Sequence, residues 1–246
     1  MKALIFAAGL GERMRPLTDR TPKPLLPVCG KPLIAWHLEK LAACGIDDVV
    51  INVSWLADQF PQALGDGSRW GLRIHYSHEG ATPLETGGGM LHALPLLSES
   101  PGSDEPFLLV NGDIWTDFDF ASLPREPQGL AHLVMVEPAS HAPEGDFALD
   151  ADGYLRSDGP RRLTYAGLGV FRPRLLEDWR GYSRDAGADE RPPRFRLAPI
   201  LRAHMASGQI RGEHHLGRWA DVGTPERLVQ LTGELRASEA QSLPST

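Results

Sequence analysis

The sequence predicts an α/β fold, in which a mostly parallel sheet carries helices on both of its faces. Short apolar runs typical of buried strands alternate with longer segments whose apolar residues recur at helical spacing. Strands that alternate with helices in this way pair in parallel through right-handed crossovers. The chain has 246 residues, of which 41% are hydrophobic and 23% are charged, and this is typical of a soluble globular protein with an ample core.

The composition restricts the class of protein further. The formal net charge of −7 argues against nucleic acid as the main partner. There is no apolar run of about eighteen residues, so no membrane span is expected, and the N-terminus shows no pattern of a secretory signal. Cys29 and Cys44 are the only cysteines. Two thiols without a motif predict a reducing cytoplasm rather than a disulfide framework or a zinc site.

The elements of the first half follow one another regularly. An apolar strand from Ala3 to Ala7 runs into a glycine-bearing loop, and Pro32 stands where a helix begins. The patterns then predict a helix from Pro32 to Cys44, a strand from Asp48 to Val53, a helix from Leu56 to Leu64, a strand from Leu72 to Tyr76 and a helix from the glycines at 87–89 to Leu97.

The second half is less regular. Loops are expected at residues 117–127, 138–145 and 183–194, the last of them loose because it is strongly polar. The elements predicted between and after them are a strand from Phe107 that ends in Asn-Gly-Asp, a strand from Leu130 to Val136, a hairpin joining 147–149 to 154–156, a strand from Leu163 to Phe171, a helix from Phe195 to Met205 and a helix from Pro225 to about Ala237. We expect a single domain over residues 1–237 and a frayed tail over 238–246.

The loop after the first strand has the properties of a polyphosphate site. Gly9 and Gly11 let the backbone approach a ligand and direct N–H groups at an anion, because glycine has no Cβ and accepts positive φ. From Glu12 to Lys31 the chain carries five cationic residues and two acids, a net charge of +3 within an acidic protein. A glycine turn alone is more often an ordinary loop, and neither a P-loop nor a dinucleotide-binding pattern is present.

A second candidate site lies at the end of the strand that begins at Phe107. Asp113 follows a fully apolar run, so its carboxylate lies at the edge where ligands bind in parallel sheets. Mg²⁺ prefers oxygen ligands and takes one or two carboxylates together with phosphate oxygens. Turn and helix-capping aspartates are also common, so the residues alone leave both roles open.

The stretch from Ala7 to Leu33, AAGLGERMRPLTDRTPKPLLPVCGKPL, resembles the signature of the sugar-1-phosphate nucleotidyltransferases at nearly every fixed position. Two further motifs of that family are matched by Asn-Gly-Asp at 111–113 and by Trp-Ala-Asp-Val-Gly-Thr-Pro at 219–225. The resemblance extends from Met1 to about Arg236, without the appended domain of some relatives. It implies a three-layer, Rossmann-like nucleotidyltransferase fold of the glycosyltransferase-A type, with a nucleoside triphosphate on the first loop.

The resemblance implies four catalytic residues. Arg13 would hold the triphosphate, Lys23 would stabilise charge at the α-phosphate, and Asp113 with Asp221 would hold Mg²⁺. The nucleophile is a phosphate oxygen that is already anionic, so positioning and charge neutralisation are needed rather than a general base. Nucleotide-binding residues implied by matching positions are Ala8, Gly9, Gly11, Glu12, Arg13, Lys23, Glu79, Glu85, Thr86 and Gly87, and substrate-binding residues are Asn111, Asp113, Gly145 and Thr164.

The segment from Glu79 to Gly89 is the position at which this family reads the base. Leu-Glu-Thr-Gly-Gly-Gly at 84–89 departs from the common Leu-Gly-Thr-Ala-Gly-Ala pattern and is similar to the form in uridylyltransferases that act on N-acetylmuramate-1-phosphate. The glycines would let backbone groups approach the edge of the base. A Glu-Lys-Pro motif that binds sugar in some relatives is absent, so the sugar contacts are left open.

The resemblance thus implies Mg²⁺-dependent transfer of a uridylyl group from UTP to a sugar-1-phosphate, with N-acetylmuramate-1-phosphate favoured, and release of pyrophosphate, in peptidoglycan recycling. Two alternatives stay open. One is a nucleotidyltransferase for glucose or mannose phosphate with dTTP or GTP, or for phosphocholine with CTP. The other is a non-catalytic nucleotide-sugar sensor, against which the four catalytic residues argue. The sequence does not give the oligomeric state, and it is compatible with a monomer.

Overall fold

A computed structural model of the chain describes residues 1–100 and 102–242. Its centre is a seven-stranded sheet, whose strands are β1 (Ala3–Phe6), β2 (Asp48–Val53), β3 (Arg73–His78), β4 (Phe107–Asn111), β5 (Ala131–Val136), β6 (Thr164–Phe171) and β7 (Ile210–His214). Their spatial order is β7-β5-β6-β4-β1-β2-β3. Pairing is parallel except at β6, which lies antiparallel between β5 and β4. The predicted mostly parallel α/β sheet is confirmed.

Helices cover both faces of this sheet, because successive residues of a strand point to opposite sides. They are α1 (Leu33–Ala43), α2 (Gln59–Leu64), α3 (Glu85–Leu97), α4 (Trp179–Tyr182), α5 (Ala198–Ala206) and α6 (Pro225–Ser242). Ile5 packs with α1 and α2 in one apolar cluster, while the preceding Leu4 packs with α3, α4 and α5 in another. Each cluster fills the space between the sheet and the helices on one of its faces, which gives the three predicted layers. None of the helices in the described ranges is long and apolar enough to cross a membrane.

Short strand pairs outside the main sheet bring distant parts of the chain together. Pro27–Val28 pairs with Lys31–Pro32, Ala148–Leu149 pairs with Leu155–Arg156, and Ile114–Thr116 pairs with Trp219–Asp221, all antiparallel. The last pair places a segment from late in the chain beside the residues that follow β4. A third apolar cluster, which includes Met14, Trp115 and Leu231, packs α6 against this region.

Three element boundaries differ by three or more residues from those predicted. α2 begins at Gln59 instead of Leu56, because Leu56 has a φ of 51°, which is not helical. α5 begins at Ala198 rather than Phe195, whose carbonyl oxygen accepts hydrogen bonds from α3 instead. α6 continues to Ser242, so the predicted tail overlaps this helix as far as residue 242, and residues 243–246 lie outside the described part of the chain.

The polar segment 183–194 contains no helix or strand, as predicted for a loop, and several of its charged side chains are paired. Asp185 binds Arg196 at 2.7 Å, and Glu190 binds Arg194 at 3.0 Å. The residue that follows the segment is Phe195, whose ring stacks on that of Trp179 with 3.9 Å between the centroids. The polarity of the sequence did not show that these charged side chains are each other's partners.

Candidate active site

A cavity of about 660 Å³ opens at the carboxyl edge of the sheet, beyond the ends of β1, β2 and β4. Ligands bind at this edge in folds of this kind, because the connecting loops meet there. Its volume is in the range of cavities that enclose small-molecule ligands. Eleven of the residues predicted for nucleotide, substrate or metal binding line it, namely Ala8, Gly9, Gly11, Glu12, Arg13, Lys23, Glu79, Glu85, Thr86, Asn111 and Asp113.

Residues 8–13, the glycine loop, border the cavity with free backbone N–H groups. Gly11 has a φ of +64°, and a Cβ there would lie 2.8 Å from the γ-methyl group of Thr18. The carbonyl oxygen of Gly11 accepts hydrogen bonds from the Met14 amide and the Thr18 hydroxyl, both at 2.8 Å. In the described part of the chain, the amides of Leu10, Gly11 and Glu12 have no acceptor in the protein. The loop can therefore donate hydrogen bonds to an anion in the cavity.

Two side chains from beyond β2 fasten the chain that follows the glycine loop. The indole N–H of Trp55 donates to the carbonyl oxygen of Thr18, and the side-chain amide of Gln59 donates to that of Arg20, each at 2.8 Å. Thr18 is itself buried and bonded to Gly11. The position of Gly11 thus depends on contacts that run from Trp55 through Thr18.

Lys23 and Asp113 form an ion pair on the wall of the cavity. Nζ of Lys23 lies 2.6 Å from Oδ2 of Asp113. Lys23 is only 8% exposed, whereas the side chain of Asp113 is 37% exposed. A buried ammonium group needs a partner, since desolvation of an unpaired charge is costly. The structure therefore joins two predicted catalytic residues that are 90 positions apart.

The fold also brings Asp221 beside Asp113. In the short antiparallel pair, Asp221 lies opposite Ile114, the residue after Asp113. The amide of Val222 donates to the carbonyl oxygen of Asp113 at 3.0 Å. The resemblance implied that the two aspartates share a metal, and this separate two-stranded pair, rather than the edge of the main sheet, makes them neighbours.

Asp221 lies at the edge of the cavity, where a second cation holds it. Its Oδ2 lies 2.6 Å from NH1 of Arg227 and 3.7 Å from Nε2 of His141. Asp221 does not line the cavity, but Gly223 does. A Cβ on Gly223 would lie 3.1 and 3.2 Å from the two carboxylate oxygens of Asp221. A glycine at 223 therefore leaves this carboxylate close to the cavity.

The two aspartates offer the oxygen donors that a hard divalent cation prefers. Within residues 1–100 and 102–242, no group of three or more His, Cys, Asp or Glu side chains could hold a metal alone. Two carboxylates nevertheless suffice for Mg²⁺ when phosphate oxygens and water complete its ligands. Each carboxylate already binds a cation at 2.6 Å, so metal binding would have to loosen these pairs. The donor set thus fits a metal that binds together with an anionic ligand.

Glu79 and Asn52 form a buried polar network at the floor of the cavity. Nδ2 of Asn52 donates to Oε1 of Glu79 at 2.6 Å, and the Leu84 amide donates to Oε2 at 2.7 Å. Oδ1 of Asn52 accepts from the amide of Ala7 at 2.6 Å. Burial raises the pKa of Glu79, while these two donated hydrogen bonds oppose the rise. The network links the start of the glycine loop to the segment that precedes α3.

The glycines at the start of α3 are packed against protein, which differs from the predicted open approach to a base. A Cβ on Gly87 would lie 2.5 Å from the ring of Phe195, and one on Gly88 would lie 2.4 Å from the carbonyl oxygen of Pro193. The amides of Gly87 and Gly88 both donate to the carbonyl oxygen of Phe195. Gly87 does not line the cavity, whereas the preceding Glu85 and Thr86 do. Backbone reading of a base by Gly87 has no support in this packing.

Gly145 and Thr164, the two predicted sugar contacts, also lie outside the cavity lining. Gly145 has a φ of +62°, and a Cβ there would lie 2.8 Å from the backbone of Arg162. Thr164 is the first residue of β6, where it pairs with Val136. The backbone geometry accounts for glycine at 145 without any ligand, so both residues keep a substrate role only as a prediction.

Several cavity residues were missed. Asn52 interrupts an otherwise apolar run near the carboxyl end of β2, and this signal could have identified it. Arg194 gave no signal, because it lies in the segment predicted as a loose loop. The other lining residues outside the predicted set are Phe6, Ala7, Leu10, Met14, Pro24, Thr82, Pro83 and Gly223.

Comparison with known proteins identifies a family for this site. The nucleotidyl transferase family matches residues 2–149. The chain is 47% identical to the N-acetylmuramate alpha-1-phosphate uridylyltransferase of Neisseria meningitidis serogroup B, over 94% of this chain and 96% of the relative. It is 33% identical to the Caulobacter vibrioides protein of the same name, over 97% of each chain. A Bacillus anthracis structure with bound sucrose, provisionally named glucose-1-phosphate thymidylyltransferase, matches with a TM-score of 0.77 at 19% identity, over 100% of this chain and 97% of that chain.

These matches confirm the resemblance drawn from the sequence. The family match covers more than half of the chain, and the two relatives align over nearly all of it. The structural match has low identity and bears on the fold alone. Proteins of this family transfer nucleotidyl groups to sugar-1-phosphates and typically use a divalent metal. The chain belongs to the nucleotidyl transferase family.

Proposed function

We propose that the chain transfers a uridylyl group from UTP to N-acetylmuramate-1-phosphate and releases pyrophosphate, with Mg²⁺ as the metal. The observation that carries the proposal is 47% identity over 94% of the chain to a relative with this activity in its name. The second relative bears the same name at 33% identity. A cytoplasmic location and a role in peptidoglycan recycling belong to the same proposal and rest on the same resemblance.

In this proposal, the glycine loop binds the triphosphate. The free amides of Leu10, Gly11 and Glu12 donate to phosphate oxygens, and Arg13 adds a guanidinium beside them. The buried ammonium of Lys23 stabilises the charge that develops at the α-phosphate as pyrophosphate leaves. An oxygen of the sugar phosphate attacks the α-phosphorus in line with the departing pyrophosphate, so the site must mainly orient two anions.

We assign the metal to Asp113 and Asp221. Mg²⁺, when bound there, would neutralise phosphate charge and orient the triphosphate. The support is the backbone pairing of Trp219–Asp221 with Ile114–Thr116, which places Asp221 beside Asp113. Asn111 ends β4 on the cavity wall beside these acids, and we assign it to the sugar phosphate.

We place the uracil base near Glu79, Glu85 and Thr86, which line the cavity close to the start of α3. Both carboxylate oxygens of Glu79 already accept one hydrogen bond each. Each oxygen retains a second lone-pair direction, which can accept the N3–H group of uracil. Cytosine offers an acceptor at N3, so the same arrangement would disfavour CTP.

Pyrophosphate release tests the proposal. The purified chain is given each of UTP, dTTP, GTP and CTP with Mg²⁺, against N-acetylmuramate, N-acetylglucosamine, glucose and mannose 1-phosphates and phosphocholine. We expect the highest kcat/KM for UTP with N-acetylmuramate-1-phosphate. A preference for GTP with mannose-1-phosphate, or for any other pair, would replace the proposed substrates. Binding of the nucleotide sugar without turnover of any pair would favour the sensor.

A double-mutant cycle tests the shared metal. Asp113→Asn and Asp221→Asn should each nearly abolish turnover, and the double variant should be little worse than either, because groups that act as a unit are non-additive. Calorimetric binding of Mg²⁺ to the nucleotide-loaded protein should weaken in each single variant. Fully additive losses, or one variant with most of its activity, would show that the two aspartates hold no common ion.

A further inference from the structure

Arg227 is a cation of this site that no motif in the sequence indicated. It lies in the first turns of α6, and its side chain is 23% exposed. Its NH1 atom lies 2.6 Å from Oδ2 of Asp221 and 3.4 Å from the carbonyl oxygen of the same residue. A Cβ on Gly223, which lines the cavity, would lie 2.9 Å from NH1. The guanidinium group is therefore separated from the cavity only by a residue without a side chain.

The pair of Arg227 with Asp221 repeats the pair of Lys23 with Asp113. In both, a nitrogen lies 2.6 Å from Oδ2 of a carboxylate that we assign to the metal. A partly buried cation whose carboxylate is taken by another ion needs a new anionic partner. For Lys23 the proposed partner is the α-phosphate of the nucleotide. For Arg227, the available anion is the second substrate, the sugar phosphate.

The charge of the cavity supports a need for this cation. Its lining has the basic side chains of Arg13, Lys23 and Arg194 and the acidic ones of Glu12, Glu79, Glu85 and Asp113, a net charge of −1 (three minus four). The reaction brings a triphosphate and a sugar phosphate side by side in that cavity, so each further cation lowers their repulsion. A guanidinium group binds the oxygens of phosphate or carboxylate with two parallel hydrogen bonds.

We propose that Arg227 binds the anionic group of the sugar substrate after a divalent metal has bound Asp221. In the protein without metal, Asp221 holds the guanidinium at the cavity edge. With metal, Arg227 serves the acceptor substrate as Lys23 serves the nucleotide. This inference rests on the proposed function, since it needs an anionic sugar as the acceptor. The anion is the 1-phosphate, or the carboxylate that N-acetylmuramate carries in addition.

The test uses Arg227→Gln, Arg227→Lys and the control Arg156→Gln. Arg156 forms a comparable pair with Asp150, at 3.0 and 3.1 Å, on a hairpin outside the cavity lining. Cooperative thermal unfolding first establishes that each variant folds. Calorimetry then measures Mg²⁺ binding to the protein loaded with a non-hydrolysable UTP analogue, and binding of N-acetylmuramate-1-phosphate and of N-acetylglucosamine-1-phosphate to the protein loaded with that analogue and Mg²⁺. Steady-state assays give KM for UTP and for the sugar phosphate separately.

We expect Arg227→Gln to bind Mg²⁺ severalfold more tightly, because Arg227 no longer competes with the metal for Asp221. We expect its affinity for the sugar phosphate to fall by about 10- to 100-fold, the scale for loss of hydrogen bonds to a charged group. KM for UTP should stay within about twofold, Arg227→Lys should recover part of the loss, and Arg156→Gln should match the wild type. A loss for both sugars identifies the phosphate as the partner, and a loss for N-acetylmuramate alone identifies its carboxylate.

Unchanged sugar affinity in Arg227→Gln would overturn the inference, even if Mg²⁺ bound more tightly, because Arg227 would then be only a structural partner of Asp221. An equal rise in KM for UTP would also overturn it. If Arg227→Gln does not fold, Arg227→Lys decides, since a shorter guanidinium-free side chain must still weaken sugar binding. Absence of turnover in the wild type refutes the proposed function by itself, whereas the binding measurements still decide the role of Arg227.

Discussion

Two glycine-bearing segments border the cavity, and they require glycine for different reasons. In the glycine loop, a Cβ on Gly9 would have no protein atom within 4 Å, and Gly11 has a positive φ. At the start of α3, a Cβ on Gly87, Gly88 or Gly89 would lie 2.5 Å or less from protein atoms. The first segment leaves room for a ligand, and the second is filled by the protein itself. The same residue type therefore marks binding in one place and packing in the other.

Between these two segments, the largest expected effect is on turnover and comes from Lys23, beside the glycine loop. Lys23→Ala should lower kcat by about a hundredfold or more, because the ammonium group strengthens its hold on the α-phosphate as charge develops. Steady-state assays with UTP would measure it. The control is Lys31→Ala, whose ammonium binds Glu39 and does not line the cavity. A raised KM for UTP with unchanged kcat would contradict the transition-state role.

The pH dependence of the free energy of unfolding should report on α1, the helix that supports the chain around Lys23. His37 of α1 is 1% exposed, and α1 packs against the segment Lys23–Leu25. Burial lowers the pKa of His37 to about 4, below its usual 6.5, and Lys40 adds to the effect. Between these values the folded state binds fewer protons than the unfolded state. Stability should therefore fall by up to about 3 kcal/mol as the pH drops from about 6.5 to 4.

His37→Gln should remove this dependence. Glutamine can still donate to the carbonyl oxygen of Ile114, which Nε2 of His37 contacts at 2.9 Å, but it does not titrate. Urea unfolding at several pH values would give the free energies of unfolding. If the free energy of unfolding changed equally with pH in the wild type and in His37→Gln, another group would be responsible.

Substitutions at the start of α3 should lower the stability of the protein rather than its turnover. Gly88→Ala places a methyl group 2.4 Å from the carbonyl oxygen of Pro193. The backbone must shift, and overpacking of this kind costs about 1–3 kcal/mol. Thermal unfolding should show a lower Tm, with kcat of the remaining folded protein little changed. An unchanged Tm would mean that segment 183–194 yields without cost.

Gly9→Ala is the matched contrast on the glycine loop. Because nothing in the protein lies within 4 Å of the added methyl group, Tm should stay close to that of the wild type. KM for UTP should rise severalfold, since the methyl group occupies space next to the phosphate-binding amides. Equal behaviour of Gly9→Ala and Gly88→Ala in both assays would remove the distinction between the two segments.

The smallest effect is expected at Trp55, which supports the glycine loop through its hydrogen bond to Thr18. Trp55→Phe keeps an aromatic ring but removes the N–H that binds the carbonyl oxygen of Thr18. We expect a loss of about 1 kcal/mol of stability, typical of one hydrogen bond, and a small rise in KM for UTP. Trp70→Phe is the control, because Trp70 contacts Arg69 rather than the glycine loop. No change in KM would show that Thr18 is held without Trp55.

Local patterns predicted most of the sheet and the glycine loop. Asp48–Val53 was predicted to the residue, because a buried parallel strand is a continuous apolar run. Lys23 and Asp113 were predicted as parts of one site, but their ion pair needs a fold that joins positions 90 apart. The packing of Gly88 could not be predicted, since its partner Pro193 lies far along the chain in a segment without helical or strand periodicity. Arg227 was missed because only the geometry of Asp221 gives it a role.

The short pairing of Trp219–Asp221 with Ile114–Thr116 has a consequence for how the protein is made. Chains begin to fold from the N-terminus during synthesis, so the sheet and the glycine loop can form while α6 is still missing. Until α6 arrives, the apolar surface around Met14, Leu26 and Trp115 lacks its cover. The nascent chain thus passes through a stage in which this surface is open to aggregation or to chaperones. The same late helix brings Asp221 and Arg227 into place. The apolar surface is therefore covered at the same stage at which the site receives its last residues.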